Sequence, residues 1–309
     1  MYLSKKNISH PSLILLGQCA FTYHTLKNFL DVGVRPMCIA IEDSNADIDP
    51  FKCLTIDDNC NWWKEHQFYH YGWKGALSQL CKQNSIVLYR KKNVIDFLPE
   101  GDILIVAGYS NKIPLIVNNN FLPWSLNIHP SLLPEYRGPQ PEAQVILHSE
   151  EVSGISIHGM TEKFDHGPIY YQAKYKILPY YTVADMEKIE AKLAAVGVKQ
   201  LLSIYPLLDG TLPQSKGTYF SWYDIEKTLF LGNCKDALEA TKLFRLRPEG
   251  YAFYYKGTRR YFSIVDDCKD YTIIRKYKVK VGNKTLFFDV CVCKDGEKIN
   301  ICKNYNQSI

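Results

Sequence analysis

Residues 125–167 read SLNIHPSLLPEYRGPQPEAQVILHSEEVSGISIHGMTEKFDHG. Two apolar, strand-like runs, 124–128 and 154–160, end in polar residues, so the chain delivers Asn127, His129 and Asp165 to loops beside strand ends. In open α/β sheets ligands bind just outside such ends. The residue types already define a chemistry. A carboxamide that donates hydrogen bonds, an imidazole and a carboxylate can respectively hold an oxyanion, move a proton and set the protonation state of the imidazole. Asn127 and His129, at i and i+2, share one face of a straight strand. Taken alone, an Asn-x-His also fits a turn-forming Asn and a structural His before Pro130.

The residues before this stretch build a sheet up to it. An apolar run at 12–16 ends in Gly17, helix-like spacing follows at 21–30 with Gly33 as its stop, and 37–41 is apolar again, which predicts a β-α-β unit. Gly17-Gln18-Cys19-Ala20 is not a G-x-G-x-x-G loop, so a dinucleotide site has no support. A helix is expected at 76–83, a strand at 85–89 and a buried parallel strand at 102–107, whose apolar character is continuous. Residues 43–75 are polar, acidic and aromatic; Trp62, Trp63, Tyr69, Tyr71 and Trp73 fit either a stacking surface for a ring or packing over the sheet edge. After Gly167, 169–177 alternates as a strand. Thr182 with Asp185 then opens a helix whose Ile189, Leu193, Val196, Val198, Leu201 and Leu202 are expected on the sheet, and Pro206 ends it. Gly and Pro mark 207–216 as a linker.

Beyond the linker a short helix is expected at 234–244, then strands at 251–255, 260–265, 272–281 and 285–293, separated by Gly257, Gly282-Asn283 and Asp295-Gly296. This is the pattern of a small antiparallel β domain, expected as a barrel. The expected domains are therefore 1–210 and 211–309. Charge divides along the same line: the second segment carries 18 Lys and Arg against 11 Asp and Glu, leaving 19 against 21 for the first. A basic second domain fits phosphate-bearing ligands or an ordinary solvated surface.

Ten cysteines are scattered without a C-x-x-C; Cys291 and Cys293, the single C-x-C, read as small hydrophobes on one strand face. A metal site is disfavoured by that spacing. With no apolar run long enough to span a bilayer and no signal-peptide pattern, the expectation is a cytoplasmic chain with no membrane association.

The pattern from Asn127 through Ile-His-Pro-Ser-Leu-Leu-Pro-Glu-Tyr-Arg to Gly138, continued by Gly154-Ile-Ser-Ile-His-Gly-Met160 and Asp165-His166-Gly167, resembles the signature of the formyltransferases that use 10-formyltetrahydrofolate. That superfamily includes methionyl-tRNA, glycinamide ribonucleotide and sugar-nucleotide formyltransferases. The resemblance implies an α/β fold: a Rossmann-like, mostly parallel sheet that binds no dinucleotide, followed by a smaller β-rich, OB-like domain. It implies Asn127, His129 and Asp165 as the catalytic trio. It places the pterin of the folate on the turn at 108–114, with Ala107, Gly108, Tyr109, Ile113, Phe164 and Asp165 as folate contacts, although those residues also fit a plain β-α connection. Ser131, Arg137 and His158 are the expected contacts to the second substrate.

In the implied reaction a neutral amine attacks the formyl carbon through a tetrahedral oxyanion, and no metal is needed. His158 stands seven residues before Asp165, where glycinamide ribonucleotide and several sugar enzymes carry a histidine. The tRNA enzymes are expected to carry a basic loop near 43–75, and here that stretch is acidic. Both features favour a small, nucleotide-linked amino sugar over tRNA, which stays as the alternative. A formyltetrahydrofolate hydrolase and a non-catalytic folate- or RNA-binding protein are the rivals. Oligomeric state is left open.

Overall fold

The computed structural model describes residues 11–42, 72–178, 181–208, 214, 216–221, 242 and 245–246, and the backbone of five strands beyond 250. Seven strands form one sheet: β1 (Leu13–Gly17), β2 (Cys38–Glu42), β3 (Val87–Lys91), β4 (Ile103–Ala107), β5 (Ser125–His129), β6 (Val152–Gly159) and β7 (Ile169–Lys176). Their order is β3-β2-β1-β4-β5-β6-β7. The first five run parallel, and β6 and β7 join antiparallel.

The parallel strands are apolar without interruption because both of their faces are covered. From β1, Leu13 and Leu15 meet Phe29, Leu77 and Val198 on one side, while Ile14 and Leu16 meet Cys38, Val94 and Phe121 on the other. The first side is roofed by α1 (Ala20–Asp31), α2 (Trp73–Gln83) and α5 (Val183–Leu202); α3 (Leu115–Asn119) and α4 (Pro141–Leu147) are short connections after β4 and β5. At the β1–β4 junction, where the strand order reverses, Thr22 donates to the Ala107 carbonyl at 2.8 Å and Gln18 N–H to that of Gly108 at 2.9 Å. The chain's own groups thus tie the two strand ends together at the switch point, as expected without a Gly-rich loop.

Helix α5 starts where its cap predicts, with reciprocal Thr182 and Asp185 hydrogen bonds of 3.3 and 3.0 Å. Its buried face corrects the sequence reading. Val198 and Leu201 are buried as expected, but Ile189, Leu193 and Leu202 are only half-buried and Val196 is 39% exposed. Ala191, Ala194, Ala195 and Gly197 carry the contact instead, because the helix lies close upon the sheet: a Cβ at Gly197 would stand 2.4 Å from Tyr171 Cδ1.

Beyond residue 250 the described residues form five strands. β8 (Tyr251–Tyr255) pairs antiparallel with β9 (Thr258–Phe262), and β10 (Tyr271–Val281), β11 (Lys284–Cys293) and β12 (Ile299–Lys303) form a separate antiparallel sheet. The expected strand at 260–265 starts earlier, at Thr258, and β12 has no counterpart among the expected strands. The aromatic stretch up to Tyr71, most of the expected 234–244 helix and part of the 207–216 linker lie outside the described residues.

Two carboxyls from α4 and α5, Glu142 and Glu190, are buried between sheet and helices. Tyr175 donates to Glu190 Oε1 at 2.7 Å, while Glu190 Oε2 has no hydrogen-bond partner. Burial pushes Glu142 up to about 7 against the opposing pull of its own backbone N–H, and burial with the neighbouring Glu142 raises Glu190 well above the ordinary range. The folded chain therefore keeps protons that the unfolded chain sheds above about pH 4.5. The stabilisation is fully present below that pH and lost as pH rises through about 7, a loss of about 3 kcal/mol for one carboxyl shifted this far. Glu142→Gln is expected to flatten that slope in urea unfolding measured from pH 4.5 to 8. An unchanged slope would show that the buried carboxyl is ionised.

Candidate active site

Strands β5 and β6 set the site through their register. Asn127 faces His158 across the ladder, and His129 faces Ser156 two residues along. Side chains at i and i+2 share a face, so Asn127, His129 and His158 emerge on one side of the sheet, and the loop after β6 returns Asp165 beside them. Asp165 Oδ1 lies 3.5 Å from both His129 Nδ1 and His158 Nε2. Asn127 Nδ2 lies 3.1 Å from His158 Nε2.

The tautomers follow from the outer nitrogens. His129 Nε2 stands 2.8 Å from the Tyr136 carbonyl and His158 Nδ1 2.8 Å from the Gly159 carbonyl. A carbonyl only accepts, so both of these nitrogens carry the proton. In the neutral rings the inner nitrogens, His129 Nδ1 and His158 Nε2, are then lone-pair acceptors. They and Asp165 Oδ1 converge on one volume, and Asn127 Nδ2 is the donor at its edge. At 3.5 Å each of these pairs stands at the outer edge of hydrogen-bond reach, so a proton arriving on either ring nitrogen would lie beside the carboxylate.

The electrostatics split in the same way. Burial pushes the His129 imidazole below its usual value, with Asp165 and the Tyr136 carbonyl pulling the other way. Burial also works against charge on Asp165, yet His129, the hydrogen bond and charge of His158, and the Gly138 N–H together hold its carboxyl well below the usual range. The site therefore pairs a fixed anion with an imidazole held neutral, the state in which it accepts a proton.

Asp165 is held in place by its loop. Its φ is +58°, left-handed backbone that is costly for a residue with a Cβ. Gly138 N–H donates to Asp165 Oδ2 at 2.9 Å, and Arg137 Nε donates to the Asp165 carbonyl at 3.1 Å. Tyr136 and Gln140, in the same 134–140 turn, also have positive φ. Gly138 itself has φ +98°, and a Cβ there would fall 2.0 Å from the Phe220 carbonyl oxygen. Three left-handed residues with side chains, gathered around one carboxylate, mark a local geometry that the surrounding contacts impose.

Among the expected folate contacts, Tyr109 and Ile113 are half-buried on the cluster that includes Val106 and Phe121, and Phe164 is 50% exposed. Tyr109 donates to Glu42 at 3.2 Å. Gly108 begins the turn with φ +69°. Ala107 is buried and its carbonyl accepts from Thr22, which makes it part of the wall rather than a contact surface.

Two of the expected acceptor contacts lie buried beside the trio. Ser131 is fully buried, and its hydroxyl donates to the Glu135 carbonyl at 2.7 Å, closing the 131–135 turn. Arg137 is 5% exposed, with its guanidinium bonded to Asp165 and to Gln214 at 2.9 Å, so it braces the loop. His158, the third, does join the trio. Sequence reasoning missed the Tyr136 carbonyl and Gln214. No residue-type signal marks a main-chain oxygen, and Gln214 lies 49 positions beyond Asp165 in what was read as linker. Among the described residues no His, Cys, Asp and Glu cluster has the arrangement of a metal centre, and no helix is long and apolar enough to cross a membrane.

Comparison with known proteins bears on this geometry. Residues 90–203, which hold every member of the polar cluster, match the family model of formyl transferases. A methionyl-tRNA formyltransferase from Dictyoglomus turgidum is 32% identical over 163 residues, 50% of this chain and 51% of that protein. The chain thus spans about half the length of that curated relative, and a third (33%) of another from Dictyoglomus thermophilum. Among solved structures, WlaRD, a sugar 3N-formyl transferase in the presence of dTDP and 5-N-formyl-THF, superposes with TM-score 0.57 and 18% identity over 96% of this chain and 98% of its own. An N-formyltransferase from Helicobacter canadensis, complexed with folinic acid and dTDP-3-aminofucose, gives 0.54 and 16% over 96% and 100%. At these identities the solved structures share the fold.

Asp165→Asn is expected to lower the His129 titration midpoint by about one unit or more, because the nearby anion favours the imidazolium. Histidine ring NMR across a pH series measures it; a midpoint equal to that of the unmodified chain would place the carboxylate out of contact with the ring.

Proposed function

We propose that this chain, whose residues 90–203 form a formyl transferase domain, transfers the formyl group of 10-formyltetrahydrofolate to the primary amine of a nucleotide-linked amino sugar. The observation that carries the reading is the convergence of Asn127, His129, His158 and Asp165 on one volume. The folate co-substrate supplies an activated formyl group. Asn127 Nδ2 donates to the formyl oxygen as that oxygen gains negative charge. The amine forms its bond to the formyl carbon, the bond from that carbon to the folate nitrogen breaks, and one amine proton leaves. His129 Nδ1, with Asp165 beside it and the Tyr136 carbonyl behind the ring, accepts that proton and passes it to the departing folate nitrogen. No step calls on a metal.

The folate would lie along the turn at 108–114. Half-buried Tyr109, Ile113, Val117 and Met160 offer apolar faces to a flat ring there, the irregular main chain offers donors and acceptors, and exposed Phe164 faces solvent as a further apolar surface. This fits a pterin, and the two sugar transferases above hold formyl-THF and folinic acid.

For the acceptor, His158 adds a second imidazole where a small polar amine would enter, and residues 43–75 are acidic where an RNA backbone would need cations. The competing reading, formylation of methionyl-tRNA, is favoured by the names of the curated relatives and by the basic segment after residue 210. The strands beyond 250 are proposed to close into an OB-like barrel, in a second domain spanning 211–309. A cytoplasmic location is part of the same proposal.

Asn127→Ala and His129→Ala are each expected to cut turnover by about 100-fold to 1,000-fold, with donor binding by fluorescence titration changed only a few-fold. Wild-type turnover in either folded variant would overturn the assignment. Release of tetrahydrofolate without any amine would instead identify a hydrolase, and donor binding with no release under any amine a binding protein.

A dTDP-linked amino sugar and charged initiator tRNA, assayed side by side, are expected to give turnover with the sugar and little with the tRNA. Efficient formylation of the tRNA, weakening steeply with salt as many phosphate contacts require, would reverse the choice of acceptor.

A further inference from the structure

Gln214 and residues 216–220 lie on the turn that carries Arg137, far from it in sequence. Arg137 N–H donates to the Thr218 carbonyl and Phe220 N–H to the Arg137 carbonyl, both at 3.0 Å, forming an isolated parallel bridge. Thr218 also accepts from Tyr136 N–H at 2.7 Å and donates to Glu135 at 2.8 Å. The Phe220 ring stacks on Tyr136 with centroids 5.8 Å apart. Into this seat Gln214 inserts one carboxamide. Its Oε1 accepts from Arg137 Nη2 at 2.9 Å and Nε at 3.2 Å, and its Nε2 donates to the Gly167 carbonyl at 2.8 Å.

We propose that Gln214 is a positioning residue for Asp165. Its bonds to two residues grip both sides of Asp165: Gly167 two positions downstream, and Arg137, whose Nε in turn holds the Asp165 carbonyl. The need is visible in the backbone, since Asp165 sits at φ +58°, a conformation that a residue with a Cβ keeps where its surroundings hold it. The choice of residue follows from chemistry. Only a carboxamide presents an acceptor to the guanidinium and a donor to the carbonyl from one terminal group of this length. Glutamate would keep the first contact and turn a negative oxygen toward the Gly167 carbonyl; Lys or Arg would lose the first. Reactive geometry thus depends on a side chain beyond the sheet and helices that build the trio.

The kinetic part rests on the proposed formyl transfer, and the spectroscopic part does not. Gln214→Met, in the full chain, keeps length and packing while removing both hydrogen-bonding atoms. The expected result is a His129 midpoint displaced downward by about half a unit or more, in the direction of Asp165→Asn. In the transfer assay kcat should fall about tenfold to hundredfold, with donor KM within about threefold.

Gln214→Glu should give an intermediate loss, since one of its two contacts survives. An unchanged His129 midpoint in a folded Gln214→Met chain, or a kcat within about twofold of wild type, overturns the proposal. A wild-type chain that releases no tetrahydrofolate with any amine overturns the proposed reaction instead, and the NMR comparison still decides the role of Gln214. Should the Met variant fail to fold, Gln214→Glu carries the same two readouts.

Discussion

A buried carboxylate has to be paid for, and the partners of Asp165 account for much of the local structure. An isolated carboxylate in an apolar interior either loses its charge or is paired and hydrogen-bonded. Here the backbone N–H of Gly138 reaches one oxygen and two imidazoles flank the other. To bring Gly138 there, the 134–140 turn takes up left-handed backbone at Tyr136, Gly138 and Gln140. To hold that turn, Arg137 is buried against the Asp165 carbonyl and Gln214. Each element satisfies a group that the previous one left unpaired.

The same interior treats other carboxyls in the opposite way. Glu142 and Glu190 are as buried as Asp165 and lie near each other, but what supports them is a tyrosine hydroxyl and a backbone amide, not imidazoles. With no ring nitrogen beside them to take up a proton, burial raises their pKa values, whereas Asp165 stays ionised. The contrast comes from partners rather than from depth. It also separates roles: the protonated pair lies among α4, α5 and β7 and is tied to stability, while the ionised carboxylate faces the volume where three acceptors meet a donor.

Parallel strands supply the rigidity on which this depends. β5 is hydrogen-bonded to β4 on one side and β6 on the other, so Asn127 and His129 stand on a strand without a free edge. The switch to antiparallel pairing at β6 has a chemical consequence, because it sets His158 directly opposite Asn127. A loop would have given these side chains more freedom than the 3 Å geometry of proton transfer tolerates.

Much of this was legible in the residues. Continuous apolar runs announced the buried parallel strands, the Thr182 and Asp185 pair announced the start of α5, and the i, i+2 spacing put Asn127 and His129 on one face. These are local signals, set by period and by backbone chemistry within a few positions. What the chain does across distance was decided only by the fold. Arg137 and Ser131 read in sequence as substrate contacts, and the internal bonds that each makes to the loop became visible only in the fold. Ile189 and Val196 look like part of the core face of α5, but its close approach to the sheet hands the centre of that face to small residues, while Leu193 packs at its margin. Gln214 reads as linker, and only a chain path that returns to the 134–138 turn puts its carboxamide between Arg137 and Gly167. Hydrophobic period records which side of an element is apolar; it does not record how near the neighbour lies or which distant backbone group needs a partner.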